Sequence, residues 1–170
     1  MTRSIGLAGA AVIIALASVF PGRSAAAGDD QRQVMALYTR FAAAFERKDP
    51  DAVMASYVRD DSLFVFDVSP PREYHGWNSY KADYKAFFGL CKGPLHEKIS
   101  DVAIAATGDL AYTHAIAEIS GTLKQGGKFD VVLRVTDVLK KVDGRWLIVQ
   151  EHLSVPVDLF TGKPDLRSKR

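Results

Sequence analysis

FDVVLRVTDVLK, residues Phe129 to Lys140, and WLIVQEHLSVPV, residues Trp146 to Val157, decide the fold. Both runs are rich in β-branched and aromatic residues, and Asp143-Gly144 between them supplies the positive φ of a tight hairpin turn. Two strands of about 12 residues reach roughly 40 Å at ~3.3 Å per residue. Strands that long in a small domain bend around something. A sheet bent over helices forms a cone, and a concave interior is where small molecules bind.

Outward from the hairpin, the pattern predicts four strands at about 96–106, 110–123, 128–141 and 145–157. Gly108-Asp109, Gln125-Gly126-Gly127 and Asp143-Gly144 punctuate them. The first half reads as helices. Gln31 to Arg47 carries Val34, Leu37, Tyr38, Phe41 and Phe45 on one helical stripe. Asp49-Pro50 opens a short second helix with apolar Val53, Met54 and Tyr57. Ser62 to Asp67 reads as a short strand, broken by Ser69-Pro70-Pro71-Arg72. Trp77 to Phe88 is a third helix with Tyr80, Tyr84, Phe87 and Phe88 on one side. Helices segregated from an antiparallel meander make the chain α+β.

The start of the chain predicts export. Arg3 precedes the uncharged apolar run Ile5 to Phe20, and Ala25-Ala26-Ala27 forms a small-residue cleavage site. That run, at ~1.5 Å per residue, falls short of a ~30 Å hydrocarbon core. Residues 1–27 are therefore read as a cleaved signal peptide, and the protein as periplasmic or secreted with no membrane attachment afterwards. Removing Arg3 and Arg23 takes Lys+Arg from 22 to 20, against 20 Asp+Glu. A formally neutral domain offers no basic excess for nucleic acid. Residues 28–160 then make one domain, and 161–170 reads as a flexible tail. The single cysteine, Cys91, closes no intrachain disulfide and reads as a small apolar filler.

Three motifs resemble a known family. KDPDAVMASYVRDD, Lys48 to Asp61, is similar to its second helix leading into its first strand. FDVSPPREYHGW, Phe66 to Trp77, places an Asp at a strand end nine positions before a Gly. RVTDVLKKVDGRWLIVQEHLS, Arg134 to Ser154, completes the set. Together they resemble the SnoaL-like and ketosteroid-isomerase-like branch of the nuclear transport factor 2 superfamily. They also resemble the association domain of calcium/calmodulin-dependent kinase II. The resemblance implies a cone of three helices packed in a curved antiparallel sheet. It does not imply one activity, because the superfamily hosts isomerases, cyclases, hydrolases, dehydratases and non-catalytic hubs.

Asp67 has two readings. By its spacing to Gly76 it is similar in position to the isomerase carboxylate that moves a proton between carbons, which needs partly apolar surroundings. Phe64, Phe66, Tyr84 and Phe88 are candidates to supply them. A strand-end Asp also satisfies a turn such as Ser69-Pro70. The isomerase's oxyanion hole uses a first-helix tyrosine and a protonated late-strand aspartate. The resemblance puts these positions on Phe41 and Arg134, with Tyr38 one turn before Phe41. Tyr84 matches a pocket tyrosine of the family.

Arg134 matches a pocket arginine of the kinase association domain that helps hold small carboxylates; the companion positions fall on Glu118 and Leu153. A three-residue Gln125-Gly126-Gly127 loop would pair Arg134 with Glu118 across strands. Alternation through the two-residue turn at Asp143-Gly144 then places Val132, Arg134 and Thr136 inward with Val149, Glu151 and Leu153. Trp146, Ile148, His152 and Ser154 take the opposite face, where a homodimer would form. A one-residue register error reverses this facing. His114, alternating with Tyr112, Ile116 and Glu118, either lines the cone or is a core histidine. Expected ligand contacts are thus Tyr38, Phe41, Tyr80, Tyr84, Phe88, His114, Glu118 and Arg134, with Asp67 as candidate base.

No histidine or cysteine spacing suggests a metal, and no Gly-rich phosphate loop or nucleophile elbow suggests a cofactor or nucleophile. No cofactor is expected. Two functions remain open. One is proton-transfer chemistry of isomerase, cyclase or hydratase type on a small organic molecule, with Asp67 as base. The other is a non-catalytic periplasmic dimeric binding or assembly domain that holds a small carboxylate through Arg134.

Overall fold

The structure, a computed structural model, describes residues 22–169, with side chains from Gly28 onward. The apolar leader run Ile5–Phe20 lies outside the described residues; Ala25–Ala27 falls in the first turns of the first helix. That helix, α1 (Gly22–Glu46), buries Val34, Leu37, Tyr38, Phe41 and Phe45, the stripe read from the sequence. Each large apolar side chain so buried contributes about 1.5–3 kcal/mol. Lys48 turns the chain with φ 55°, and Asp49 caps α2 (Pro50–Met54) by accepting from Ala52 N at 3.0 Å. Pro50 sits where its missing N–H costs nothing.

Strands β1 (Phe64–Phe66) and β2 (Tyr74–His75) form a small antiparallel ladder before α3 (Trp77–Leu90). Gly76 opens α3 at φ 79°, where a Cβ would stand 3.0 Å from Asp61 Oδ1. Trp77 Nε1 donates to Met54 O at 2.9 Å and ties α3 to the end of α2. Four long strands follow: β3 (Cys91–Thr107), β4 (Leu110–Leu123), β5 (Lys128–Val142) and β6 (Arg145–Ser154). The sheet order is β2-β1-β6-β5-β4-β3, antiparallel except that β1 runs parallel to β6. That parallel pairing carries the first-half strand back to the end of the meander, which the meander alone did not anticipate. The curved, unclosed sheet wraps α1 and α3, and the core lies between them.

The facing of β5 is the reverse of the expectation. Val142 pairs with Arg145 across a two-residue turn with φ 49° and 75°, as read from Asp143-Gly144. Three positions further, a bulge intervenes: Leu139 pairs with Ile148 but Val138 with Gln150, so Val149 is the extra residue. A bulge shifts alternation by one. Trp146 and Ile148 therefore face inward, 3% and 1% exposed, instead of forming an outer dimer face. Trp146 Nε1 donates to Asp30 Oδ1 at 3.3 Å, and Lys141 Nζ reaches the same oxygen at 2.5 Å. Beyond the bulge Glu151 is still inside, but its partner is Asp137, not Thr136.

On β5 the inward residues are thus Leu133, Val135, Asp137 and Leu139. Arg134 is exposed on the outer face, where its Nη2 donates to Val155 O at 2.9 Å. The β4–β5 loop is longer than three residues, so Arg134 pairs with Ile116, and Glu118 with Val132. Glu118 is exposed and bridges to Lys98 at 3.1 Å. The terminal stretch lies along the sheet. Asp165 N donates to Pro156 O and Val132 N to Leu166 O, both at 2.8 Å, while Arg167 pairs with Asp130.

Candidate functional site

The concave side of the sheet encloses a cavity of about 490 Å³, within the usual range for small-molecule sites. Its sheet wall is aliphatic and shallow: Ala115 and Ala117 from β4, Leu133 and Val135 from β5. Small residues there keep the wall back and leave the volume open. Its roof comes from the inward stripes of two helices, Tyr38, Phe41 and Phe45 from α1 and Tyr80, Tyr84 and Phe87 from α3.

Among the described residues, five carboxyl groups project into this apolar space, Asp67, Asp83, Glu97, Asp137 and Glu151, and no lysine, arginine or histidine lines it. Asp137 is fully buried, and Tyr38 Oη donates to its Oδ2 at 2.6 Å. Thr113 Oγ1 makes a short contact to the same phenol. Across the β5–β6 ladder Asp137 stands directly opposite Glu151. Glu151 meets Tyr57 Oη at 3.0 Å from each oxygen and Tyr80 Oη at 2.8 Å, and Tyr57 Oη lies 3.2 Å from Tyr84 Oη. Tyr80 Oη also reaches Asp67 Oδ2 at 3.2 Å. Asp67 Oδ1 accepts from Ser69 N and Oγ, both at 2.9 Å. One oxygen of Asp67 therefore satisfies the turn, and the other faces the tyrosine network.

Burial sets the protonation of the interior. Removal from water pushes the Asp137 carboxyl up to about 7, against a smaller opposing effect of the Tyr38 hydrogen bond. Burial, then the Asp137 charge, raises Glu151 well above the carboxylate range. Two carboxyls opposed on neighbouring strands cannot both ionise cheaply, so the pair holds a proton at neutral pH. Burial likewise pushes Glu97 up to about 8, with Glu46 adding to the effect. Tyr38, Tyr57, Tyr80 and Tyr84 are all raised by burial and stay phenols. Two buried side-chain oxygens have no hydrogen-bond partner among the described residues, Asp137 Oδ1 and Glu97 Oε2, and both residues line the cavity.

Of the residues expected at the site, the cavity brings together Asp67, Tyr38, Phe41, Tyr80 and Tyr84. Phe88 is buried behind them, its ring 5.4 Å from Phe45 and 5.6 Å from Tyr84. His114, Glu118 and Arg134 do not join: each is exposed on the outer face, and His114 Nδ1 bonds Tyr112 Oη at 2.9 Å. Phe64 and Phe66 also leave the surroundings of Asp67, packing on His75 and His152 instead, while Val65 between them points inward. Cys91 is buried at the α3–β3 junction and donates to Phe87 O at 3.3 Å.

Tyr57, Asp83, Glu97, Thr113 and Asp137 were not anticipated. The signal for two of them is alternation: Asp137 lies between Val135 and Leu139, and Glu97 between Leu95 and Ile99, all on the inward parity. Phe41 and Arg134, the positions the resemblance implied for a tyrosine and an aspartate, hold neither; a first-helix tyrosine and a late-strand aspartate meet instead at Tyr38 and Asp137. No group of acidic, histidine or cysteine side chains among the described residues is arranged to hold a metal ion.

Solved structures carry the same fold. A nuclear transport factor 2-like protein of unknown function from Pseudomonas putida superposes with a TM-score of 0.75 at 24% identity, covering 84% of this chain and 98% of that one. A putative scytalone dehydratase from Novosphingobium aromaticivorans gives 0.67 at 16% identity, covering 83% and 96%. A putative calcium/calmodulin-dependent protein kinase II association domain from Xanthomonas campestris gives 0.63 at 25% identity, covering 72% and 85%. No curated protein matches the chain significantly. The model of the SnoaL-like domain family matches residues 34–158, from the buried face of α1 to the end of the sheet, and the chain belongs to that family.

Proposed function

We propose that this protein is a proton-transfer enzyme acting on a non-anionic, largely apolar small molecule that carries a carbonyl group. Asp67 is the base, and a protonated Asp137, whose other oxygen is held by Tyr38, donates a hydrogen bond from Oδ1 to the oxygen on which charge develops. The observation that carries this reading is the 2.6 Å Tyr38–Asp137 contact inside a cavity with no basic side chain in its lining among the described residues. A proton-bearing aspartate beside a tyrosine is the donor arrangement that enolate chemistry needs.

In the proposed step Asp67 Oδ2 removes a proton from a carbon next to the carbonyl. The C–H electron pair moves into the new C=C bond and the carbonyl pair onto oxygen, where the Asp137 O–H stabilises it while Tyr38 holds the other Asp137 oxygen. Return of the proton from Asp67 to a different carbon gives an isomer; dehydration follows when the enolate pair re-forms the carbonyl, the C=C shifts one bond along and the β-hydroxyl leaves as water with the proton held by Asp67. Two similar structures are named as putative dehydratases. Tyr80, within reach of both Asp67 and Glu151, offers Asp67 a route to exchange its proton.

Binding of small carboxylates through Arg134 loses its basis, because that side chain lies on the outer face and the cavity itself is acidic. The test is deuterium uptake by uncharged cyclic ketones, tetralone and cyclohexenone, in heavy water. Exchange above the buffer rate should fall at least ~10²-fold in Asp67→Asn. Absence of exchange with either ketone, or full activity in Asp67→Asn, would contradict the proposal.

Export belongs to the same reading, supported by the Ile5–Phe20 run and Ala25-x-Ala27. Purification from a secreting host should give a chain beginning at Gly28; recovery of intact Met1 in membranes would overturn this.

A further inference from the structure

We infer that the end of the cavity opposite the Tyr38–Asp137 pair is a cation subsite, where Glu97 receives the ammonium group of an amine-bearing ligand. The inference rests on the cavity being the substrate site, as proposed above, and adds the substrate class.

The strand registers give the layout. Glu97 pairs with Ile119 on β4, and Thr113 on the same strand pairs with Asp137. Six residues of β4 separate the two layers, roughly 20 Å of strand at ~3.3 Å per residue. Between them the sheet contributes Ile99, Ala115, Ala117, Leu133 and Val135, with no polar side-chain atom to offer. The sheet wall is therefore polar at its two ends and apolar between them, which fits an elongated ligand with a polar group at each end.

Glu97 selects what that second group is. Its Oε2 is buried and has no hydrogen-bond partner among the described residues, which is a costly state for a carboxyl group. The charged group acting on it is another carboxylate, Glu46 of α1, whose Oε1 accepts from Glu97 N at 3.5 Å. Lys98, the next residue along, points to the outer face and is engaged by Glu118. Glu97 lines the cavity, the exposed Glu46 carboxylate stands behind it, and no basic side chain among the described residues lines the cavity, so this end repels anions. It gains most from an ammonium, whose hydrogen bond to Glu97 is charge-assisted. At rest Glu97 keeps its proton up to about pH 8. Binding an ammonium near neutral pH would therefore expel that proton to solvent, while the amine keeps its own.

Titration calorimetry of the full chain with octylamine, octanol and octanoate tests this. Octylamine should bind at least ten-fold tighter than octanol, and octanoate should not bind. In two buffers of different ionisation enthalpy, octylamine should release close to one proton near pH 7, and octanol none. Glu97→Gln should abolish the amine preference and the proton release while leaving octanol affinity unchanged, which also reports that the variant folds. Glu46→Gln should weaken the preference partly. Equal affinity for amine and alcohol, or a preference that survives Glu97→Gln, would overturn the inference. Ketone exchange that persists while the amine preference fails would sink this subsite alone. An intact preference with no exchange would instead sink the proton-transfer step.

Discussion

Asp137 and Glu97 each place a carboxyl among apolar side chains, and the cost is felt as pH dependence. An unfolded carboxyl releases its proton near pH 4, whereas these hold theirs to about 7 and about 8. Across that window the folded state binds protons that the unfolded chain has lost. Stability therefore falls as pH rises from about 4 and the loss is complete above about 8. Calorimetry should show Tm declining between about pH 5 and pH 8, and Glu97→Gln should flatten the upper part of that decline. A Tm that rises across the same range would refute the buried, proton-bearing carboxyls. Both residues were legible as inward from alternation, since apolar neighbours flank them at two positions on either side. The likeness of Arg134 to a pocket arginine outweighed that pattern, and a single-residue shift in parity moved every assignment on β5 with it. Tyr38 was legible as part of a buried helical stripe; its aspartate partner, 99 residues away in sequence, depended on register and was not.

At the scale of elements, the three helices and four long strands follow from stripe, cap and turn signals that are local in sequence. What escaped is non-local or one residue in size: the parallel pairing of β1 with β6 and the bulge at Val149. Neither leaves a mark in periodicity, because a bulged strand reads as a continuous apolar run. β4 offers a direct check of how tightly the sheet closes over the core. Gly121 pairs with Phe129, and a Cβ built on it would stand 2.5 Å from Leu95 Cδ2 and 2.9 Å from the Phe129 ring. Gly121→Ala should therefore destabilise by about 1–3 kcal/mol, read as a lower denaturation midpoint with unchanged slope. An unchanged midpoint would show that β3 and β5 are packed more loosely than described.

For the whole molecule, the cone assigns one face of the sheet to the cavity and leaves the other to solvent or a partner. We propose a homodimer through that outer face. Phe64 and Phe66 lie half-buried there beside His152, and Tyr112 is exposed next to His114. Trp146, expected to anchor such a dimer, is committed to the interior, so the interface would rest on the β1–β6 side and the exposed Leu159 and Phe160. Light scattering at micromolar concentration should give twice the monomer mass, and Phe66→Ser should return it to monomer; a wild-type monomer would reject the assembly.

The central claim is that the Tyr38–Asp137 pair receives a substrate oxygen inside the cone while Asp67 faces the adjacent carbons. A crystal structure with naphthol, a flat uncharged mimic of an enol, examines it most directly. The ring is expected between Phe41 and Tyr84, its oxygen within hydrogen-bond distance of Asp137 Oδ1 and its edge toward Asp67 Oδ2. Naphthol bound with its oxygen away from Asp137 Oδ1, or seated on the outer face with the cavity holding only water, would contradict this.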